Sequence, residues 1–177
     1  MNEHRPLILI GIGANLNTPA FGSPRSTCEA AVGELDKAGV AITRRSSWFK
    51  SAPVPISDQP WYINGVVGID TDLEPAELIS LLHNIEDQFG RVRSAKNAAR
   101  TLDLDIIAYG DLIVGWNEEN NNDLVIPHPR LNERAFVLLP MLEIVPKWCH
   151  PVLKLTLNEM ISGIDPAQQT LPDDGAG

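Results

Sequence analysis

Two aspartates separated by a single leucine, Asp103 and Asp105, stand in the run Arg100-Thr-Leu-Asp-Leu-Asp-Ile-Ile-Ala-Tyr109. The run reads as a strand, in which successive side chains alternate between faces. Asp103 and Asp105 then share one face, and Leu102, Leu104 and Ile106 share the other. Two residues of strand rise put the aspartate Cα atoms about 6.6 Å apart. Two anions side by side in an apolar run are costly unless something positive sits with them. Magnesium is commonly held by one or two carboxylates plus the phosphates of a substrate. By itself the pair equally fits an edge strand with one wet face, where both aspartates simply meet water.

The residues just upstream favour the metal. Four of the 14 Lys+Arg residues, Arg91, Arg93, Lys96 and Arg100, fall within ten positions of a chain whose formal net charge is −9. Guanidinium forks match phosphate oxygens two at a time, and a cation bridges those phosphates to carboxylates. A solvated loop that offsets nearby Asp and Glu is the plainer reading of the basic run. Its junction with the carboxylate pair points instead to a magnesium–polyphosphate.

The elements that must position these groups follow from pattern. Leu7–Ile12 is an apolar run suited to a central strand, ending in the turn Gly13-Ala-Asn-Leu16. Ser23-Pro24 is an N-cap with proline at the first helical position, and Ser26-x-x-Glu29 fits a capping box one turn further in. Ala31, Val32, Leu35 and Ala38 recur at helical spacing, and Gly39 fits the stop. Val40–Lys50 reads as a strand, the three prolines of 51–60 force an extended loop, and Trp61–Thr71 returns as a strand. Leu78, Leu81, Leu82, Ile85 and Phe89 mark a second helix between Pro75 and Gly90, with Glu86 at the border of its apolar stripe. Short strands are expected at Leu112–Val114 and Leu124–Ile126, a polar loop at 116–123, and helices over Asn132–Val145 and Leu155–Ile161. Residues 1–164 are read as one domain, and 165–177 as a disordered tail from their Pro, Asp, Gly and Gln content. Interspersed helices and strands predict an α+β sheet with helices packed on it.

Composition narrows the function. The 177 residues suffice for one domain with a core, and 44% hydrophobic and 21% charged residues are ordinary for a soluble protein. The acidic balance argues against nucleic acid and against anionic membranes as partners. Cys28 and Cys149 form no metal spacing, and a reducing cytoplasm is the expected location. The phosphate loop of P-loop NTPases is absent, and Gly11-Ile-Gly13 lacks the third glycine of the dinucleotide fingerprint, since position 16 is Leu16.

Five ordered blocks carry a resemblance: Gly13-Ala-Asn-Leu16; Asp58-Gln-Pro-Trp-Tyr-Ile-Asn64; Glu86 with Gly90-Arg-Val-Arg93; Arg100-Thr-Leu-Asp-Leu-Asp-Ile106; and Pro127-His128 followed by Arg134 and Phe136. Together, over residues 7 to 150, they resemble the 6-hydroxymethyl-7,8-dihydropterin pyrophosphokinase family of folate biosynthesis. The resemblance implies a ferredoxin-like, mainly antiparallel sheet flanked by helices, with mobile loops over the site, and a monomer. It implies transfer of the terminal pyrophosphate of ATP to the pterin hydroxymethyl, with AMP released. Asp103 and Asp105 would hold two Mg2+ ions. Arg91 and Arg100 would neutralise the triphosphate, and Arg93, His128 and Arg134 would contact ATP. Tyr62, Asn64 and Phe136 would form the pterin pocket, with the backbone around Ser51, Ala52 and Val54 reading the edge of the ring. Glu86 would shape the site.

The residues alone leave plainer readings open. Phe136 beside Val137, Leu138 and Leu139 reads as core, Asn64 before Gly65 as turn chemistry, His128 as exposed or ligand-facing, and Glu86 as a solvated helix residue. The chain also departs from the family pattern. Asn97-Ala-Ala replaces a longer, aromatic-containing stretch before Arg100, Ala14 stands where Ser is common, and Pro129 where an aromatic is common. Asp123 and Val125 occupy a stretch where basic residues are usual. A weakened or non-catalytic pterin- or ATP-binding relative, or another two-metal nucleotidyl transferase, are the rival functions.

Overall fold

The computed structural model describes residues 5–91, 99–116 and 124–175. The elements are β1 (Ile8–Ala14), α1 (Pro24–Lys37), β2 (Ala41–Arg45), β3 (Phe49–Ser51), β4 (Tyr62–Asp70), α2 (Pro75–Gln88), β5 (Asp103–Tyr109), a 3-10 turn (Leu131–Glu133), α3 (Ala135–Ile144), α4 (Leu157–Ser162) and β6 (Thr170–Pro172). The sheet runs β5-β1-β4-β3-β6, with β2 also on β4. Every named pairing is antiparallel. The order β5-β1-β4-β2 with α1 and α2 as crossovers is the ferredoxin-like arrangement, as expected.

The helices begin and end where their chemistry dictates. The Ser23 hydroxyl accepts from the Ser26 N–H at 3.2 Å, Pro24 opens α1, and Gly39 leaves it at φ +82°, a conformation that favours glycine. In α2 the Glu77 carboxylate accepts from the Glu74 N–H at 2.9 Å, and Gly90 terminates the helix at φ +78°.

Alternation splits the core into two layers. Ile8, Ile10 and Ile12 of β1 pack with Leu104 and Ile106 of β5 under α1 and α2, against Ala31, Leu35, Leu78 and Leu82. On the opposite face Leu9, Val66 and Ile107 pack under α3 and α4, against Leu138, Met141 and Leu157. That second face is only partly roofed by α3. Where the roof stops, β1 presents Gly11 and Gly13, and the sheet surface lies open as a cleft.

Four local expectations differ from the structure. Val40–Lys50 is two strands, because one long neighbour serves both: β2 pairs with Val67–Asp70 and β3 with Tyr62–Asn64. At the break the Ser46 hydroxyl accepts from the Val66 N–H at 3.0 Å, a side chain replacing a ladder bond. Leu112–Val114 and Leu124–Ile126 make one isolated bridge, Val114 with Ile126, too short for strands. The helix expected from Asn132 begins as a 3-10 turn and becomes α-helical at Ala135. The tail expected to be disordered carries β6, paired residue by residue with β3. Its polar composition hides backbone pairing, which needs no apolar side chains.

Candidate active site

The cleft has a volume of about 160 Å³ and is lined by Gly11 and Gly13 of β1, Ser51 to Pro55 and Tyr62 and Asn64, Arg100, Asp103, Asp105, and Arg134 and Phe136. Register explains its floor. Gly13 lies between Asp103 and Asn64, and Gly11 between Asp105 and Val66. Cross-strand partners point to one face, so the carboxylates and the amide flank a strip without side chains. A Cβ on Gly13 would come within 2.9 Å of the Asn64 Oδ1, and one on Gly11 within 3.1 Å of the Ile107 side chain.

One end of the cleft is ionic. The Arg91 guanidinium donates to Asp103 Oδ1 at 2.9 Å, and Arg100 donates to Asp103 Oδ2 at 2.8 Å. Arg91 also donates to Glu86 Oε1, and that oxygen accepts the Leu104 N–H at 2.8 Å. Glu86 is 1% exposed, so it is a buried anchor for Arg91 and the start of β5, not a solvated helix residue. Arg91 and Glu86 stand behind Asp103 and do not line the cleft.

Asp105 differs. Among the described residues it has no hydrogen-bond or salt-bridge partner. Burial, with Asp103 beside it, pushes its carboxyl up to about 7, while Arg134 and Arg100 pull the other way through space. Asp103 holds Arg100 firmly charged against the cost of burial. The Arg134 guanidinium, which has no ion pair among the described residues, has its pKa lowered by burial, with Asp105 pulling the other way through space. It lies over the Phe136 ring at 5.6 Å, a cation–π arrangement.

A two-carboxylate site that resists double ionisation suits a hard cation. Among the described residues no three His, Cys, Asp or Glu side chains converge on one point. A cation held by Asp103 and Asp105 would take the rest of its shell from oxygen atoms of water and phosphate.

The other end is neutral. The Asn64 Nδ2 donates to the Ser51 hydroxyl at 2.7 Å, and both residues are buried. That bond fixes the amide, leaving one donor and the carbonyl oxygen for a ligand. Tyr62 flanks it, its hydroxyl 3.4 Å from Gln59 Oε1. Phe136 is partly exposed at the cleft while Val137 and Leu138 beside it are core, so the helix register takes Phe136 out of the expected core. Ala52 also lines the cleft, and Val54 does so from the exposed loop.

His128 lies behind the ionic end and is not a lining residue. Its N–H donates to the Ile107 carbonyl at 2.9 Å, at the point where the β1–β5 register shifts by one residue. Its Nδ1 accepts from the Arg130 N–H at 3.1 Å, so the neutral ring carries its proton on Nε2. Burial, aided by Arg134, pulls its pKa down to about 4. Arg93, and Lys96 of the basic run, lie outside the described residues.

Asn15 carries no chemical signature in the sequence beyond its place in Gly13-Ala-Asn-Leu16, yet it joins three segments. Its Nδ2 donates to Gln59 Oε1 at 3.2 Å and to the Pro60 carbonyl at 3.1 Å. Its Oδ1 accepts from the Arg100 N–H at 2.9 Å. It is 1% exposed. A buried amide just past a strand end was the available signal, because such a group must find partners.

Residues 9–146 match the family model described as 7,8-dihydro-6-hydroxymethylpterin-pyrophosphokinase. The chain is 39% identical over 158 residues to the 2-amino-4-hydroxy-6-hydroxymethyldihydropteridine pyrophosphokinase of Synechocystis sp., covering 89% of this chain and 75% of that one. With the Haemophilus influenzae protein of the same name, identity is 40% over 135 residues, 76% and 79% of the two chains. In fold it is similar to a Plasmodium falciparum HPPK-DHPS solved with pteroate, with a TM-score of 0.65 at 12% identity. That match covers 92% of this chain and 43% of the other, so this chain spans under half of that structure.

Proposed function

The chain belongs to the 7,8-dihydro-6-hydroxymethylpterin-pyrophosphokinase family, and on that premise we propose that it moves the terminal pyrophosphate of ATP to 6-hydroxymethyl-7,8-dihydropterin, yielding AMP and the pterin diphosphate for folate synthesis. The observation that carries this reading is the division of one cleft into an ionic end and a neutral, amide-and-aromatic end. A flat fused ring suits the neutral end. Phe136 and Tyr62 offer aromatic surface, and Asn64 offers a donor and an acceptor to an amide-like ring edge.

The ionic end takes the triphosphate. Asp103 and Asp105 would hold magnesium, two ions in the full reading, which supplies charge neutralisation between the carboxylates and the phosphates. Arg100 from the cleft wall and Arg91 from behind Asp103 would neutralise charge developing on the transferring group, and fixed guanidiniums stabilise such a transition state without reorganising. Arg134, between the two ends, bridges phosphate and ring. His128 offers a neutral Nε2–H on the nucleotide side, and Arg93 is assigned to the nucleotide by the family pattern. Glu86 keeps Arg91 in place.

The experiment is to incubate the protein with ATP, magnesium and 6-hydroxymethyl-7,8-dihydropterin and to identify the nucleotide released. AMP dependent on the pterin is expected. ADP would indicate ordinary phosphoryl transfer, and no nucleotide product with retained pterin binding would indicate a binding relative.

A further inference from the structure

The two walls of the neutral end come from distant parts of the chain. Ser51 ends β3 and Ala52 follows it, whereas Arg134 caps α3 and Phe136 lies in its first turn. They are tied together by two consecutive residues of the C-terminal segment. The Gln168 side-chain amide brackets Arg134: its Nε2 donates to the Glu133 carbonyl at 2.6 Å and its Oε1 accepts from the Ala135 N–H at 3.1 Å. The Gln169 carbonyl accepts from the Ala52 N–H at 3.0 Å, and β6 continues that contact by pairing Thr170 with Ser51.

The Ala135 N–H is the first of the helix, one of the donors a helix leaves without an internal partner. Arg134, at the N-cap, supplies no side-chain bond to the helix. Gln168 is thus the cap of α3, reached from outside the helix. The segment is itself pinned, because the Asp173 N–H donates to the Trp48 carbonyl at 2.8 Å and Asp173 pairs with Arg25 at 2.6 Å. Neither Gln168 nor Gln169 lines the cleft, and both lie beyond the residues matched to the family.

We propose that Gln168, with β6, is a positioning element that sets the separation of the Arg134–Phe136 wall from the Ser51–Ala52 wall, and so tunes affinity for the ring rather than the transfer step. This rests on the proposed function. Without the amide bridge, Arg134 and Phe136 keep their helix but lose the fixed angle at which they face Asn64.

Gln168→Met, which keeps the length and loses both bonds, and Gln168→Ala are the variants. Two net hydrogen bonds shared between fold and ligand translate into a rise of about three- to tenfold in KM for the pterin. The kcat should stay within about twofold, the KM for ATP should rise less than that for the pterin because only Arg134 of this wall also meets phosphate, and equilibrium binding of 6-hydroxymethylpterin should weaken in parallel with the pterin KM. Unchanged pterin KM and binding in both variants would overturn the proposal. So would a loss of melting temperature accompanied by equal losses for ATP and pterin, which marks a merely structural role. A wild-type protein that releases no pterin-dependent AMP and binds no 6-hydroxymethylpterin would instead overturn the functional reading beneath it.

Discussion

Replacing Asp105 by Asn should abolish turnover and at the same time stabilise the metal-free protein. The carboxyl of Asp105 is moved from 3.8 to about 7 by burial and by Asp103. At about 1.4 kcal/mol per pH unit, such a shift corresponds to on the order of 4 kcal/mol of destabilisation once the carboxylate is ionised in both folded and unfolded chains. The carboxylate faces an open cleft, so water reduces this, and about 2 kcal/mol is the expected gain for Asp105→Asn at pH 8. The sign follows from the raised folded value. The favourable contribution of the protonated acid is fully present below about pH 4 and lost as pH rises through about 7, so the advantage of the amide grows with pH. Urea denaturation in a chelator at pH 5 and pH 8 reads it directly. Asp103→Asn serves as the opposite case: it loses charge from two ion pairs of 2.9 and 2.8 Å and should cost about 1–3 kcal/mol. An Asp105→Asn variant that is less stable than wild type at pH 8, or equally stabilised at both pH values, would refute the account of an anion held there against its preference.

Gly13→Ala should raise the pterin KM by about an order of magnitude and cost about 1–3 kcal/mol of stability, since the new methyl meets the Asn64 Oδ1 at 2.9 Å and must turn that amide off its buried bond to Ser51; unaltered pterin kinetics would show that Asn64 is not a recognition group. Asn15→Ala removes three side-chain hydrogen bonds joining β1 to Gln59, Pro60 and Arg100, and should lower kcat about ten- to a hundredfold through misplacement of Arg100. Full kcat would place Arg100 outside the transfer step. His128, whose pKa is depressed to about 4, should stay neutral through the working range. The stability it contributes is fully present above its unfolded value near 6.5 and is lost progressively as pH falls from there through about 4. A proton-NMR titration with a His128 midpoint near 6.5 would contradict this.

What could be read from the sequence was local. The apolar spacing of α1 and α2 and the two-residue spacing of Asp103 and Asp105 each depend on a few neighbours, and each reappears in the fold. Four of the five blocks of resemblance contribute residues that line one cleft, including Phe136, which its own neighbours argue into the core, whereas Glu86, Arg91 and His128 stand behind it. What could not be read was set by pairing across the sheet. Gly13 looks like a turn glycine and Gly11 like one more residue of an apolar strand until register places them opposite Asp105, Asp103 and Asn64. Glu86 looks solvated until the unpaired Leu104 N–H at the start of β5 claims it. The C-terminal segment looks disordered because its side chains are polar, whereas its contribution is made with carbonyls, N–H groups and one amide.

The ionic end has a consequence for how ligands enter. Glu86, Asp103 and Asp105 face Arg91, Arg100 and Arg134, so three carboxylates are set against three guanidiniums. Asp103 already accepts from two of them. On the proposed function Asp103 must turn to a cation and the arginines to phosphates, so these ion pairs are exchanged and not merely added to. The exchange is feasible because both arginines have a second hold: Glu86 grips Arg91, and Asn15 fixes the Arg100 backbone. They remain in place when Asp103 lets go. A cation arriving alone would draw off Asp103 and leave two guanidiniums poorly balanced. A polyphosphate arriving alone would meet the carboxylate of Asp105. On the proposed function the two together re-pair the groups that Asp103 releases, so a divalent cation should tighten nucleotide binding and nucleotide should tighten cation binding.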